Sequence, residues 1–532
     1  MPLQFLIGVS VTFVLYILIS FLISRKFKSA NDFFVAGRNA PTALITGSLV
    51  ASFIGVGLFM GDVGEAYIGG FAPVLVAVGV LSVGYIVGSV FFGRYLRRSN
   101  CATLPEYFGK RFDSKAMKNL ATITGTFIML VYTISCVQGI GGLMQSLTGF
   151  DYNTCVIIAV CVFTLITVFS GAKGVLITDT IMFAIFSVAA ILGAVFIAKA
   201  AGGWTSTVTE MATYENIPNI LAGSGNENWL YPTGTENMIW AVGYGIAWMA
   251  VLMVAPWQSS RYLMAKNEHT VVRSGIIASA SVFIIEFLMC MAGVFTNKIN
   301  PNLEQPSSAL IWASMEIMPT VLGVIVLSGV LASAISSATT FLSLIGSNIT
   351  KDVMNIKNDK KQLTIGRLII LIVAIIICLL CIFWPPQIFW ITYLGATIVA
   401  CSWLPVSIAS VWSKRVTKAA AFTSMLSGFV VSAAMKIYVT INSITLPIYF
   451  DPFFIGIAVS IITLIVVSIF TKVTEKEKEE RAKLFILPEG EDNPKEIKKT
   501  KLMVGLTIPL GIIITVALLL LWVIPYMKGL SA

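Results

Sequence analysis

The chain has 532 residues, of which 57% are hydrophobic and only 12% are charged, and its formal net charge is +10. A soluble domain carries about 25% charged residues, so this composition excludes an ordinary soluble protein. Apolar runs long enough to cross a bilayer as a helix, about 20 residues, recur along the whole chain. The sequence therefore predicts an all-α integral membrane protein, because backbone polar groups in lipid must be hydrogen-bonded within their own segment.

About fourteen apolar segments are candidate transmembrane helices. Basic residues follow the first of them rather than precede it, which is not the pattern of a signal peptide. Lys and Arg concentrate in every second loop, whereas the long loop 202–234 contains neither. The positive-inside rule therefore predicts that both termini lie outside the cell. The segments lie near 5–24, 43–66, 71–93, 118–147, 153–170, 174–201, 235–262, 272–297, 320–350, 364–384, 387–412, 418–440, 452–471 and 502–526.

The polar stretches and the cysteines do not indicate a catalytic or metal-binding site. The lone histidine, His269, lies in a short basic loop and is expected to be solvated. The mixed-charge stretch 472–501 is expected to be a cytoplasmic linker with a short surface helix. The eight cysteines lie mostly inside apolar runs, so we expect neither a disulfide framework nor a zinc site.

Carboxylates inside predicted spans are candidate functional groups, because an unpaired charge there costs several kcal/mol. Asp179 lies near the start of the sixth span. It either interacts with the positive end of the helix dipole or is a ligand for a cation. Asp62 and Glu65 lie near the outer end of the second span, where water is one way of solvating them. Glu286, in the eighth span, either pairs with a neighbouring helix or lines a cavity.

The second span contains Gly55, Gly57 and Gly61 within ASFIGVGLFMG. Glycine weakens a helix interior. In a transporter, such a span often marks a broken helix whose freed carbonyls bind an ion. The alternative is close packing of helices through small residues.

The ninth span contains LASAISSATT, in which Ser333, Ser336 and Ser337 are spaced i, i+3 and i+4 and therefore share one helical face. Such hydroxyls often bond back to their own helix or serve as small packing residues. A hard cation such as sodium prefers oxygen ligands. This face, the glycine-rich span and Asp179 together predict a sodium pocket.

The chain resembles the sodium:solute symporters, a family that includes bacterial proline, pantothenate, sialic acid and galactose symporters. The similarity runs from about residue 30 to about residue 440 and consists of five segments in the family's order. The segments are DFFVAGRNAP (32–41), LPEYFGKRF (104–112), GAKGVLITDTIMF (171–183), SRYLMAKNE (260–268) and LASAISSATTFLSLIGSNITKDV (331–353).

The resemblance implies a LeuT-like core of two inverted five-helix repeats. These repeats would occupy 43–201 and 235–412, joined by an extracellular loop at 202–234. An extra N-terminal helix and a cytoplasmic loop would occupy 1–42, and further C-terminal helices would occupy 413–532.

The resemblance also implies sodium-coupled alternating access, with no cofactor besides the coupling ion. The sodium site common to this fold would combine carbonyls of the broken helix with oxygens of the serine face. Some members bind a second sodium at an inner site, which would use the hydroxyl of Ser333 and the carboxylate of Asp179. The ligands of the common site would be the carbonyls of Ala51, Ile54 and Ser333 and the hydroxyls of Ser336 and Ser337.

The substrate implied by the resemblance is a small organic acid or an amino acid. Sugar-binding members carry Glu-Gln where this chain has Gly57 and Leu58, so a sugar is disfavoured. The segment APWQSSRYL (255–263) is more similar to the proline and pantothenate members, although Phe53 and Leu252 replace pocket residues of the proline carrier. The implied substrate-binding residues are Gly55, Gly57, Leu58, Tyr132, Trp248 and Leu252.

Other functions are less well supported. A proton-coupled carrier of the same fold would use Asp62, Asp179 or Glu286, and a transporter-like sensor would have lost coupling. A membrane enzyme would need a catalytic constellation, which one histidine makes difficult, so we expect no enzyme. The expected partners are a small-molecule substrate, Na⁺ and the lipid bilayer of the plasma membrane, without nucleic acid or a required protein.

Overall fold

The computed structural model describes residues 36–169, 172–227, 229–354, 356, 358–384, 387–442, 444 and 446–532, with scattered positions between residues 4 and 22. In this part of the chain the elements are helices, and eleven of them are long and apolar enough to cross a membrane. Two shorter apolar helices, Thr42–Ala51 and Tyr152–Val168, lie at further predicted spans. The all-α prediction is confirmed, and the predicted span 5–24 lies largely outside the described residues.

The helices that position the site follow one another in chain order. They are α1 (Thr42–Ala51), α2 (Gly57–Arg98), α3 (Leu104–Arg111), α4 (Lys115–Thr148), α5 (Tyr152–Phe169), α6 (Ala172–Ala200), α7 (Gly234–Val254), α8 (Pro256–Met264), α9 (Glu268–Ile299), α10 (Thr320–Asn348), α11 (Asp359–Phe383), α12 (Ile388–Trp412), α13 (Lys418–Asn442), α14 (Pro452–Phe470), α15 (Glu475–Lys483), α16 (Pro494–Gly505) and α17 (Thr507–Leu518).

The glycine-rich span is broken between α1 and α2, where residues 52–55 are not helical. Gly55 approaches α10 so closely that a Cβ atom there would lie 3.3 Å from the hydroxyl oxygen of Ser337. Gly61 packs against α12, since a Cβ atom there would lie 3.6 Å from the backbone of Phe389. The broken helix and the close packing are therefore both present, at different glycines of the same span.

A second break separates α7 from α8, within the single predicted span 235–262. Ala255 adopts an extended ψ of 146° at this point. Pro256 then occupies the first turn of α8, where its missing N–H and its fixed φ favour the start of a helix. Among the described residues, the predicted spans 43–66 and 235–262 are thus both interrupted, and α3 and α4 follow the first while α9 and α10 follow the second.

The stretch 472–501, called here the terminal strap, is docked onto the body of the protein. Arg111 of α3 donates a hydrogen bond of 3.1 Å to the carbonyl oxygen of Glu477. Arg273 of α9 forms an ion pair of 2.6 Å with Glu496. The strap also covers His269, whose Nε2 lies 3.0 Å from the carbonyl oxygen of Glu491. The expectation of a solvated His269 is wrong because the strap buries it.

Candidate functional site

The serine face of α10 meets the end of α1 and the N-terminal third of α6. The hydroxyl of Ser336 donates a hydrogen bond of 2.6 Å to Oδ1 of Asp179 and lies 3.3 Å from the carbonyl oxygen of Ala51. Asp179 and Ser336 are both buried. The structure therefore brings together three of the residues that the sequence proposed for sodium, from three different helices.

The other predicted sodium ligands lie on the same helices or at the break after α1. They differ in the contacts and hydrogen bonds that they make. The hydroxyl of Ser337 faces Gly55 at the break, as described above. Ile54 is buried in the break itself, and its amide donates to the carbonyl oxygen of Val50 at 2.8 Å. The hydroxyl of Ser333 donates to the carbonyl of Val330 within α10, at 2.7 Å, rather than to Asp179.

Asp179 has a charged partner that the sequence did not reveal. Nη2 of Arg261 lies 3.0 Å from Oδ2 of Asp179, and the two side chains are 2% and 1% exposed. The hydroxyl of Ser48 donates to the same carboxylate oxygen at 2.5 Å. Burying an unpaired charge costs several kcal/mol, so this pairing is what allows a carboxylate to lie in the interior.

Arg261 ends the apolar run of the predicted span 235–262, a position that favours a loop charge, but it lies inside α8. Its Nε donates to Ser48 at 2.9 Å, and its Nη1 donates to the carbonyl oxygen of Trp257 at 2.8 Å. Its Nη2 also donates to the hydroxyl of Thr340 at 3.0 Å. The planar guanidinium group carries several N–H donors in a fixed geometry, and its hydrogen bonds connect α8 with α1, α6 and α10.

The group formed by Ser48, Asp179, Arg261 and Ser336 is called here the polar hub. An aromatic cluster lies beside it. The rings of Tyr132 and Trp248, both predicted substrate-binding residues, have centroids 5.7 Å apart. Trp257 and Phe341, which the sequence did not select, complete the cluster, with Trp257 centred 4.9 Å from both Tyr132 and Phe341. Phe53 of the first break contacts Trp248 at 5.4 Å.

The cluster contains buried polar atoms without hydrogen-bond partners among the described residues, Nε1 of Trp248 being one of them. The hydroxyl of Tyr132 and Nε1 of Trp257 are also buried and make no hydrogen bond with any described residue. A buried donor without a partner costs about 1–3 kcal/mol and calls for an explanation. A ligand with acceptor atoms would satisfy them.

The remaining predicted substrate-binding residues lie in different surroundings. Gly57 faces α12, since a Cβ atom there would lie 3.6 Å from Thr392, and Leu58 is buried. Leu252 packs instead against α2, where a Cβ atom on Gly84 would lie 3.1 Å from its own Cβ. This contact connects α7 with α2, and the role of Leu252 in binding stays a prediction.

Comparisons with known proteins agree with this architecture. Residues 33–428 match the family described as "Sodium:solute symporter family". The sodium/proline symporter of Salmonella typhimurium is 26% identical over 461 residues, which cover 80% of this chain and 88% of that protein. The sodium/pantothenate symporter of Escherichia coli is 24% identical over 416 residues, which cover 76% and 84%.

A solved structure shows the same fold. It is a Na⁺-coupled sialic acid symporter in a substrate-bound, outward-open state, with a TM-score of 0.73 over 88% of this chain and 98% of that chain, at 17% identity. Together with the family match, the broken helices and the buried oxygen-rich hub, this establishes what kind of protein the chain is. It belongs to the sodium:solute symporter family and is a multi-pass membrane protein that carries a small solute together with sodium.

Proposed function

We propose that the solute is a small carboxylate, an organic acid or an amino acid, and that it binds at the aromatic cluster. The observation that carries this proposal is the pair of buried donors without partners, the hydroxyl of Tyr132 and Nε1 of Trp257. Trp257 lies in the first turn of α8. The positive end of a helix favours an anion, and half-helix N-termini in transporters of this kind point at substrate carboxylates.

The sodium ion is proposed to bind between the end of α1 and the serine face of α10. Its ligands would be the carbonyls of Ala51, Ile54 and Ser333 and the hydroxyls of Ser336 and Ser337. The approach of the Ser336 hydroxyl to the Ala51 carbonyl, at 3.3 Å, supports this set. Sodium moving down a membrane potential gains about 2.3 kcal/mol per 100 mV, enough for about fiftyfold accumulation of solute.

A second sodium at Asp179 would have to compete with Arg261. The guanidinium group already neutralises the carboxylate, and the Ser333 hydroxyl is bonded within its own helix. We therefore propose that the inner site accepts sodium only when Arg261 moves away from Asp179. If so, removing the positive charge with Arg261→Gln should raise the cooperativity of sodium-dependent uptake, and unchanged cooperativity would argue against a second site at Asp179.

We further propose that the two broken helices open the two inverted repeats, 43–201 and 235–412, and that both termini lie outside. No cofactor, nucleic acid or partner protein is needed for the transport cycle proposed here. A cysteine placed in loop 202–234 tests the orientation, because an impermeant thiol reagent should label it from outside intact cells. Labelling only after the cells are opened would reverse the topology.

The test of the solute class is a thermal-unfolding screen of the purified protein. Carboxylates, amino acids, sugars and nucleosides are each added in sodium and in potassium. The proposal expects a carboxylate to raise the unfolding midpoint in sodium only, and expects Tyr132→Phe to weaken that ligand's binding. Tyr449→Phe is the matched control, because Tyr449 is 69% exposed. Stabilisation by a sugar or nucleoside, or normal binding by Tyr132→Phe, would refute the proposed site.

A further inference from the structure

A cavity of about 160 Å³ lies between α3, the end of α2 and the terminal strap, on the side of the membrane predicted to be cytoplasmic. A cavity needs only about 10–15 Å³ to hold one water molecule, so this one has room for a small polyatomic ion. Its walls carry more positive than negative charge. The charged lining residues are Arg98, Lys110, Arg111, Glu480 and Lys483.

Some of these charges already have partners of opposite sign. Nη2 of Arg98 lies 2.5 Å from a carboxylate oxygen of Glu268, which is at the start of α9. Nζ of Lys483 lies 2.5 Å from a carboxylate oxygen of Glu480, both in the strap. These four charges cancel in pairs, so the excess positive charge of the cavity belongs to the two basic residues at the end of α3.

Arg111 and Lys110 at the end of α3 bond only to carbonyl oxygens. Arg111 is 2% exposed, and it donates to the carbonyls of Ser410, at 2.6 Å, and Glu477, at 3.1 Å. Lys110 is exposed and donates to the carbonyl of Ser99 at 3.2 Å. In the described part of the chain, neither side chain belongs to an ion pair.

The guanidinium group of Arg111 therefore has both charge and hydrogen-bonding capacity to spare. Its Nε and Nη1 are the donors used, and its Nη2 donates to no described residue. A buried cation without a counter-ion is costly, because its hydration is lost and no opposite charge compensates for it. An anion in the cavity would supply that charge and accept from the free nitrogen.

We propose that the cavity binds a phosphate group, held by Arg111 and Lys110, and that the bound group fastens the terminal strap to α3. A phosphate group has several acceptor oxygens and about one to two negative charges, which matches two cations better than a single carboxylate does. Arginine binds phosphate through two parallel donors, and lysine adds a point charge. The group belongs to free phosphate or to a lipid headgroup, since basic sites at the cytoplasmic surface attract both.

The first test is the unfolding midpoint of the purified full chain in detergent, titrated with inorganic phosphate at constant ionic strength. Phosphate salts also stabilise folded proteins by exclusion from their surface, so the comparison between variants decides. Lys110→Gln should need about tenfold more phosphate for the same shift, as expected for the loss of one charge-assisted hydrogen bond. Lys115→Gln is the matched control, because Lys115 is equally exposed but does not line the cavity.

The second test distinguishes the two sources of phosphate. The protein is placed in nanodiscs of phosphatidylcholine alone or with added phosphatidylglycerol. A higher midpoint with phosphatidylglycerol in the wild type but not in Lys110→Gln would identify a lipid headgroup, and an effect of inorganic phosphate in both bilayers would identify a soluble ion. Equal responses of the wild type and Lys110→Gln to both sources would overturn the proposal.

A local measurement shows whether the bound group holds the strap. At a concentration about ten times its dissociation constant, the phosphate source that binds should slow proteolysis of the strap about tenfold. Lys110→Gln is used because Arg111→Gln would also remove two buried hydrogen bonds and would not separate binding from folding. A strap cut at the same rate with and without either source would overturn the proposal. Neither solute nor sodium enters these tests, so their failure leaves the proposed function untouched.

Discussion

The ion pair between Asp179 and Arg261 makes the sharpest prediction about stability. Arg261→Gln removes the positive charge from a carboxylate whose side chain is 1% exposed. Breaking a buried pair by removing one partner costs about 3–5 kcal/mol, because the other charge is left uncompensated. The hydrogen bonds from Ser48 and Ser336 remain, so we expect the lower part of this range.

The size of the effect can be converted into a measured temperature. Proteins gain about 2.1 cal/mol/K of unfolding entropy per residue, or about 1.1 kcal/mol/K for a chain of this length, so a loss of about 3–4 kcal/mol lowers the midpoint by about 3–4 °C. The double variant Asp179→Asn, Arg261→Gln removes both charges and should recover about 2 °C, because residues in contact couple by 0.5–3 kcal/mol.

The assay is thermal unfolding of the purified protein in detergent, with the wild type, both single variants and the double variant. Lys478→Gln is the control, because its ion pair with Glu475 is exposed and such pairs contribute about 0–1 kcal/mol. If Arg261→Gln unfolds within one degree of the wild type, or the two single effects simply add, the buried pair does not have the role assigned to it here.

Three further predictions concern the site and the strap. Gly55→Ala places a methyl group 3.3 Å from the Ser337 hydroxyl, so half-maximal uptake should need about tenfold more sodium, about 1.4 kcal/mol, and an unchanged requirement would count against the site. Gly395→Ala places a methyl group 2.7 Å from the Tyr132 ring, and titration should show weaker solute binding unless that ring lies outside the pocket. Arg273→Ala removes an ion pair to α16, so limited proteolysis should cut the terminal strap about fivefold faster, about 1 kcal/mol, and equal rates would mean that the ion pair does not hold the strap.

Local sequence patterns were enough to predict much of the fold and part of the site. The break after Ala51 was predictable because glycines cluster there. The hydroxyl face of α10 and the intramembrane carboxylate of Asp179 were also evident, because each is a property of a single helix. Which hydroxyl meets that carboxylate was not evident, since Ser336 and Asp179 are 157 positions apart.

The missing parts depend on contacts between distant segments. Arg261 and Asp179 are 82 positions apart, and Arg261 looked like a loop charge because it ends an apolar run. The terminal strap is predicted to be a cytoplasmic linker because it is rich in charges of both signs. Its residues meet Arg111 of α3 and Arg273 of α9, contacts between distant segments that only the fold brings about.

The orientation of single side chains was equally hard to anticipate. Leu252 is a predicted substrate-binding residue that lies next to Gly84 of α2, a contact between distant segments, and its role stays a prediction. Trp257 is not among the residues selected from the sequence, although its unpartnered Nε1 is part of the strongest evidence for a polar ligand.

The most direct test of the central claim is a sodium titration of the unfolding midpoint, with potassium replacing sodium at constant ionic strength. The midpoint of the wild type should rise with sodium, because an ion that binds only the folded state stabilises it. Ser337→Ala should lose most of this rise, while Ser343→Ala, on the same helix, should keep it. An equal rise in the wild type and in Ser337→Ala, or no rise in the wild type, would contradict the sodium site proposed between α1 and α10.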